Sequence, residues 1–534
     1  MYKEGLFMKI KNISTLLMLL ALSISACSSS GNQPGEKSGF SNINDTEKFE
    51  IHTAAQKKFL EYKGEGDDYY KNTPTSYYPD GTKHLSDPEA IKLTWDYTIP
   101  KGKEIAKYSI VYGQKADLSD GYQVDGNTEN SISFYNAYLG KNYYKLIANF
   151  TDDTKEETAI RSFEVDGTYP RNLKIAGMTN CRDLGGRLLE DGGKIKQGLV
   201  FRTSGKNQNG SLTKATTEEM VNHLKLKNEI NLAGDSDSYN LKLAGTTLIT
   251  VCRMDTSSTG GFHHFSRNTE AVKNFFNFLA DSNNYPLYYH CKIGTDRTGV
   301  CTVLLTGLLG ASVNDIYQDY IFSNFGKIGE RRSIGNGDSH DMMKYMNDLL
   351  AMPGKTFKNK VYNTLLGIGV SRTTLDTVIA NLTEGPTAQG NDAGQVIAHA
   401  EDLTATGLEI KSKSSERDNP DKYYVLNSDS QSVSYTFTAS KAYTGQVFAY
   451  LGNNDASETK KIADAITCQL DNNDLTIRDV TYKDARMGHC TVSGSSRMNY
   501  WPVLLGSIDI SAGSHTIKIS GTSNTMNLGG IYIF

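Results

Sequence analysis

One eleven-residue run, Tyr289-His290-Cys291-Lys292-Ile293-Gly294-Thr295-Asp296-Arg297-Thr298-Gly299, holds the residue types that attack on phosphorus requires. A thiol attacks only as thiolate, and a helix N-terminus or a neighbouring arginine acidifies it. Cys291 stands at the start of this run. Arg297 follows after five intervening residues, so the loop can curl until the guanidinium faces the sulfur. That planar fork grips two phosphate oxygens and steadies the charge that develops during transfer. Gly294 and Gly299 permit tight turns and close backbone approach. The Thr298 hydroxyl can hydrogen-bond the thiolate, and His290 can hold the loop through a backbone hydrogen bond. The N–H groups of Lys292, Ile293, Gly294 and Thr295 would line the cradle floor. Lys292 adds positive charge there, which favours a polyanionic substrate unless it pairs with Asp296.

Such a loop works only between a strand that ends at His290 and a helix that begins near Thr298. Both are legible. Tyr285-Pro-Leu-Tyr-Tyr289 reads as a short strand aimed at the loop, and Val300, Val303, Leu304 and Leu308 make the following helix apolar all round, hence buried. Upstream, 198–201, 229–232 and 246–251 read as strands, the last two buried. A helix is expected over 217–224 with Thr217 as its cap, and another over 269–280 with Val272, Phe275, Phe276 and Leu279 on one face. Strands alternating with helices predict an α/β sheet.

Expelling an alkoxide or phenoxide also needs a proton donor near the cradle. Asp255 follows the strand 246–251 and opens a Ser/Thr/Gly-rich loop over 256–261. Asp296 lies inside the cradle itself. Asp235 and Asp237 are further candidates, with a solvated turn as their plainer explanation.

The signature resembles that of the protein-tyrosine phosphatase superfamily, HCxxGxxR(S/T)G, with every fixed position filled. Asn180-Cys181-Arg182-Asp183-Leu184-Gly185-Gly186 is similar to the NxRDLGG motif of a bacterial branch, the tyrosine/serine phosphatases with dual protein and lipid substrates. Tyr320-Ile-Phe-Ser-Asn324 resembles that branch's DYLxSN segment, so the resemblance runs over about 171–384. The branch usually reads Asp-Leu-Arg where this chain has Asn231-Leu232-Ala233, so that arginine's role is absent or moved. The resemblance implies an α/β cysteine-phosphatase fold that uses no metal or other cofactor and hydrolyses phosphomonoesters through a cysteinyl-phosphate intermediate. It implies phosphotyrosine protein first, then phosphoinositide or phosphoserine/threonine. It places Asp255 in the acid-bearing loop and makes Asp296 an assistant or replacement. The competing readings are a surface protein that binds phosphorylated or carbohydrate ligands without turnover, and sulfur transfer by a rhodanese-like loop. Gly294 and the Thr298-Gly299 pair fit the phosphatase better.

The remaining sequence predicts a multidomain chain, with this region between two β-sandwiches. The chain has 534 residues, too many for one core, and its net charge of -4 gives no sign of a nucleic-acid surface. Lys9 and Lys11 precede an apolar run over 13–24, and Ser25-Ala26-Cys27 then resembles a bacterial lipoprotein box with Cys27 acylated. This predicts an extracytoplasmic protein held at a bacterial membrane by lipid. The expected parts are a signal peptide at 1–27, a tether and linker at 28–84, a fibronectin type III-like sandwich at 85–168 with Trp95 and Tyr144 in its core, the catalytic region at 169–385, a linker at 386–394, and a sandwich at 395–534. The last resembles carbohydrate-binding modules through Ala398-His-Ala-Glu401-Asp402 and Gly513-Ser-His-Thr-Ile-Lys. That likeness implies Glu401 as a calcium ligand and Tyr500 and Trp501 as platforms for a cell-surface sugar. Seven cysteines without a CxxC pair give no zinc or disulfide framework. Cys181 and Cys252 read as buried or as protective partners of Cys291, and Cys468 and Cys490 as a possible pair. His263-His264 reads as exposed.

Overall fold

Six strands of the central region form one sheet: β1 (Arg171–Asn172), β2 (Arg182–Asp183), β3 (Val200–Thr203), β4 (Asn228–Asn231), β5 (Thr247–Ile249) and β6 (Leu287–His290), in the spatial order β1-β2-β3-β6-β4-β5. The computed structural model describes residues 39–62, 73–206, 212–234, 236–254, 265, 268–334, 342–386, 396–414, 419–485, 487–492 and 495–534. Strands β3, β6, β4 and β5 run parallel, while β1 and β2 add antiparallel at one edge. Every residue of β6 is buried, as expected of a central parallel strand covered on both faces. The register sets Thr203 and Asn231 level with His290, so three parallel strands end together. That shared carboxyl edge is where open α/β sheets bind ligands.

Helices α1 (Thr269–Ala280), α2 (Asp296–Leu309), α3 (Val313–Phe322), α4 (Met342–Leu350), α5 (Phe357–Gly367) and α6 (Arg372–Leu382) share one apolar core with the sheet. Helix α2 is buried from Arg297 to Leu309 and stops at Gly310, whose φ of +104° is left-handed.

Several local expectations need correction. Helix α2 starts at Asp296, two residues before Thr298. The helix expected over 217–224 begins at Lys214, because Thr213 rather than Thr217 accepts from the Thr216 N–H; it then widens into a π-helical turn over Glu218–His223. The strand expected over 246–251 is only Thr247–Ile249. It lies at the sheet edge and is not buried, and Val251 is exposed.

Ahead of this region, Ile105–Gly113, Tyr122–Asp125, Gly140–Phe150 and Arg161–Asp166 pair in one sheet, packed on the pair Ile91–Thr94 and Ser131–Phe134. Trp95 and Tyr144 are in that core. The stretch expected as tether and linker over 28–84 is partly structural. Lys48–Glu50 extends the first sheet, and the helix Ala54–Leu60 drives Phe59 and Leu60 into the central core, with Phe59 against Phe322 and Phe325. Burial of Phe59 outweighs the polar composition that read as a linker.

After it, two further sheets enclose an apolar layer that includes Val433, Leu451, Ile517 and Leu528. Tyr500 and Trp501 are not sugar platforms, since each is only 8% exposed. Trp501 leaves its own sandwich and joins the central core, edge-on to Phe265 at 5.3 Å between centroids. Among the described residues no helix is long and apolar enough to cross a membrane.

Candidate active site

The loop 291–295 leaves the end of β6 and enters α2, and three residues from two neighbouring segments hold its carbonyls. The Asn180 side-chain N–H groups reach the carbonyls of Ile293 and Gly294, both at 3.2 Å, and the Thr295 hydroxyl at 3.3 Å. Arg202 Nη2 donates to the Gly294 carbonyl at 2.6 Å. The Gly205 N–H donates to the Lys292 carbonyl at 2.8 Å. With its carbonyls tied outward, the loop is left to turn its N–H groups toward the cradle. Gly294 has φ of +73°, and a Cβ there would lie 2.3 Å from the Thr203 carbonyl oxygen, so only glycine fits.

A buried carboxylate locks these anchors. Asp319 on α3 accepts from Arg182 Nε at 2.9 Å, from Arg202 Nη1 and from the Tyr169 hydroxyl. Arg182 Nη1 in turn donates to the Asn180 carbonyl oxygen, orienting its amide toward the loop. Burial alone would raise the Asp319 carboxyl pKa, but Arg182 and Arg202 more than reverse this and hold it low. Beneath the cradle, His290 Nδ1 meets the Cys291 carbonyl at 2.9 Å and Nε2 meets Glu229 at 3.0 Å. Glu229 also accepts from the N–H groups of Leu241 and Lys242 and from the Tyr288 hydroxyl.

The thiols of the central region differ in electrostatics. Burial pushes Cys301 far up, Cys252 up to about 12, and Cys181 up as well. Cys291 is equally enclosed, and burial pushes it up too. Yet the charge of Arg297, with hydrogen bonding from the hydroxyl and N–H of Thr298, leaves its pKa below the ordinary 9.0. The Thr298 hydroxyl is buried without a nitrogen or oxygen partner, so the sulfur is the group it serves. Arg297 and Thr298 occupy the first turn of α2, where the helix dipole adds to the same effect.

Of the candidate acids, Asp296 sits at the start of α2 and is gripped by Arg332 Nε and Nη2, at 3.1 and 3.0 Å. Lys292 therefore does not pair with it; Lys292 is exposed. Asp237 is largely exposed and pairs with Arg253. Asp255, Asp235, His263 and His264 lie outside the described residues, as does Cys27. Asn231 folds back, its Oδ1 accepting from Ala233 N–H at 2.8 Å. Cys181, Cys252 and Cys301 are free thiols, as is Cys468; the Cys490 side chain lies outside the described residues. Among the described residues Glu401 belongs to no group of three or more His, Cys, Asp or Glu side chains placed to hold a metal.

Sequence reasoning had not singled out Arg202, Glu229, Asp319 or Arg332 for the site. Their partners lie far away along the chain; the strands of Arg202 and Glu229 and the motif beside Asp319 were read from the sequence, but not the roles of these side chains.

With this geometry in place, one similarity to known proteins falls in the same region. Residues 173–385 match the model of the Tyrosine phosphatase family. No curated protein matches the chain significantly. Among solved structures, the exo-beta-1,3-galactanase of Phanerochaete chrysosporium is 17% identical over 29% of this chain and 31% of its own, with a TM-score of 0.20. The chain thus spans less than a third of that galactanase. A family 35 carbohydrate binding module from Clostridium thermocellum is 14% identical over 27% of this chain and 98% of its own, with a TM-score of 0.20. Overlaps of that score assign neither ligand nor activity.

Proposed function

We propose that the region 169–385 is a cysteine-dependent phosphatase that hydrolyses phosphomonoesters, phosphotyrosine protein foremost. The observation that carries this reading is the contrast between thiols: Cys291 is acidified by Arg297 and Thr298, while Cys181, Cys252 and Cys301 are pushed the other way by burial. A binding loop has no use for a thiolate.

The reaction has two displacements. The Cys291 thiolate attacks phosphorus, forming the S–P bond as the P–O bond to the leaving group breaks. Arg297 and the loop N–H groups hold the three non-bridging oxygens. Asp255 gives its proton to the departing oxygen. Water then attacks phosphorus, giving a proton back to Asp255, and the S–P bond breaks to release phosphate and the thiolate. Thr298 stabilises that thiolate as it leaves. Asp296, both of whose oxygens are already held by Arg332, is the lesser candidate for the acid. Lys292, exposed on the loop, attracts anionic substrates, which keeps phosphoinositides second in line.

Phosphate release from a phosphotyrosine peptide, a phosphoinositide and p-nitrophenyl phosphate, without added metal, tests this reading. Turnover by wild type and none by Cys291→Ser is expected. Binding without release by wild type would instead make the region a receptor for phosphorylated ligands. We also place the chain outside the cytoplasm, anchored through acylated Cys27. Labelling with a palmitate analogue in a bacterial host, lost in Cys27→Ala, is the expected result; equal labelling of both would reject the anchor.

A further inference from the structure

We propose that Glu229 is a positioning residue for the Cys291 nucleophile, acting through His290, and that the same carboxylate seats the chain segment packed beside the nucleophile's loop. This inference rests on the phosphatase reading and names a further residue of that site.

Glu229 lies in β4, level with Tyr288 of β6. Side chains alternate along a strand, so Tyr288 and His290 share the face on which they meet Glu229. All three are wholly buried. Glu229 Oε1 accepts from the Leu241 N–H at 2.7 Å and meets His290 Nε2 at 3.0 Å. Its Oε2 accepts from the Lys242 N–H at 2.8 Å and from the Tyr288 hydroxyl at 3.0 Å. Two partners on each oxygen use the full acceptor capacity of a carboxylate. Burial alone would raise the Glu229 carboxyl pKa, but the interaction with His290, helped by the two N–H groups, more than reverses this.

That carboxylate reaches the nucleophile from two sides. On one side, the other nitrogen of the imidazole, Nδ1, lies 2.9 Å from the Cys291 carbonyl. The orientation of the ring therefore sets the peptide plane of the residue that carries the thiol. On the other side, the chain that leaves β4 comes back to Glu229 at Leu241 and Lys242. Just before this return, Tyr239 closes on Gly205. A Cβ at Gly205 would lie 2.6 Å from the Cys291 carbonyl oxygen and 3.1 Å from the Tyr239 Cβ. Gly205 is thus wedged between the nucleophile's backbone and Tyr239, and its N–H is the donor that holds the Lys292 carbonyl. Glu229 fixes both sides of that seat, one through His290 and the other through Leu241 and Lys242.

Glu229→Gln keeps the shape but turns an NH2 group toward two of the four donors. With the full chain and p-nitrophenyl phosphate, kcat is expected to fall about tenfold to a hundredfold with a smaller change in KM, since a displacement of about 1 Å costs roughly a hundredfold. A carboxylate that only supported the fold would cost the same with or without the imidazole, so a double-mutant cycle decides. His290→Asn retains a side-chain N–H for the Cys291 carbonyl and removes the contact with Glu229. In that background Glu229→Gln is expected to change kcat by no more than about twofold. Near-normal kcat in Glu229→Gln, or an equal loss in both backgrounds, would overturn the proposal and leave the phosphatase reading standing. No turnover by wild type would overturn that reading and this proposal with it. Should Glu229→Gln fail to fold by circular dichroism, His290→Asn alone decides: kcat within about twofold of wild type overturns the proposal, and any larger loss supports it.

Discussion

Arg332 holds Asp296 by two parallel hydrogen bonds, Nε to Oδ1 at 3.1 Å and Nη2 to Oδ2 at 3.0 Å, right beside the nucleophile's loop. The Asp296 charge opposes formation of the Cys291 thiolate. Asp296→Asn should therefore lower the Cys291 pKa further, and Arg332→Met, which uncovers the Asp296 charge, should raise it. The pH dependence of iodoacetamide alkylation at Cys291 reads both shifts. Shifts in the same direction would contradict this arrangement.

The lowered thiol pKa also fixes the sign of the pH–rate profile. Activity needs the thiolate, so kcat/KM should rise with pH along an acid limb whose midpoint lies below the ordinary thiol value of 9.0. Thr298→Ala removes a hydrogen bond to sulfur and should move that limb toward higher pH. It should also slow the second displacement, seen as a larger burst of leaving group before steady state.

Asn180 donates to three groups of the loop, and its backbone is left-handed, with φ of +56°. Asn180→Asp keeps the shape and tolerates that backbone but loses the amide donors. A shift of the loop by about 1 Å costs roughly a hundredfold in rate, so kcat should fall by about that factor with a smaller change in KM. Near-normal kcat would show that Arg202 and Gly205 suffice to hold the loop.

Asp319 ties the anchors together, and the cost of its loss can be stated. Asp319→Asn leaves Arg182 and Arg202 buried with less compensating charge and should destabilise the protein by about 3–5 kcal/mol in urea unfolding. In wild type the depressed Asp319 pKa stabilises the fold fully above the ordinary carboxyl value of 3.8. As pH drops below that value, the unfolded chain binds a proton that the folded chain resists, so stability falls with acid. Asp319→Asn should flatten that acid dependence.

Trp501 binds the last sandwich to the central core. Trp501→Ala should cost about 3–5 kcal/mol, and should lower the melting of the central region together with that of the sandwich. Two independent transitions, with only the sandwich affected, would show the domains to be uncoupled.

These relationships also show where the sequence was informative. The segment from Tyr289 to Gly299 was legible because one short loop carries nucleophile, clamp and turn glycines, and the apolar helix after it had only a buried place to go. The groups that hold the loop were not, since Asn180, Arg202, Asp319 and Arg332 reach their partners across long stretches of chain and look like ordinary polar residues in one dimension. Asp319 could not be told from a surface aspartate without seeing the two arginines and the tyrosine that donate to it. Composition misled over 28–84, where a few apolar residues such as Phe59 outweigh many polar ones. It misled again at Trp501, which resemblance made a sugar platform but whose side chain fills another domain's core.

The most direct test of the central claim is to trap the intermediate. Wild-type protein mixed with excess phosphotyrosine peptide and quenched in acid within the first turnover should carry one phosphate on the peptide that contains Cys291, found by mass spectrometry. No phosphate should appear there in Cys291→Ser. Phosphate released into solution with Cys291 never modified, or equal release by Cys291→Ser, would contradict the cysteinyl-phosphate mechanism.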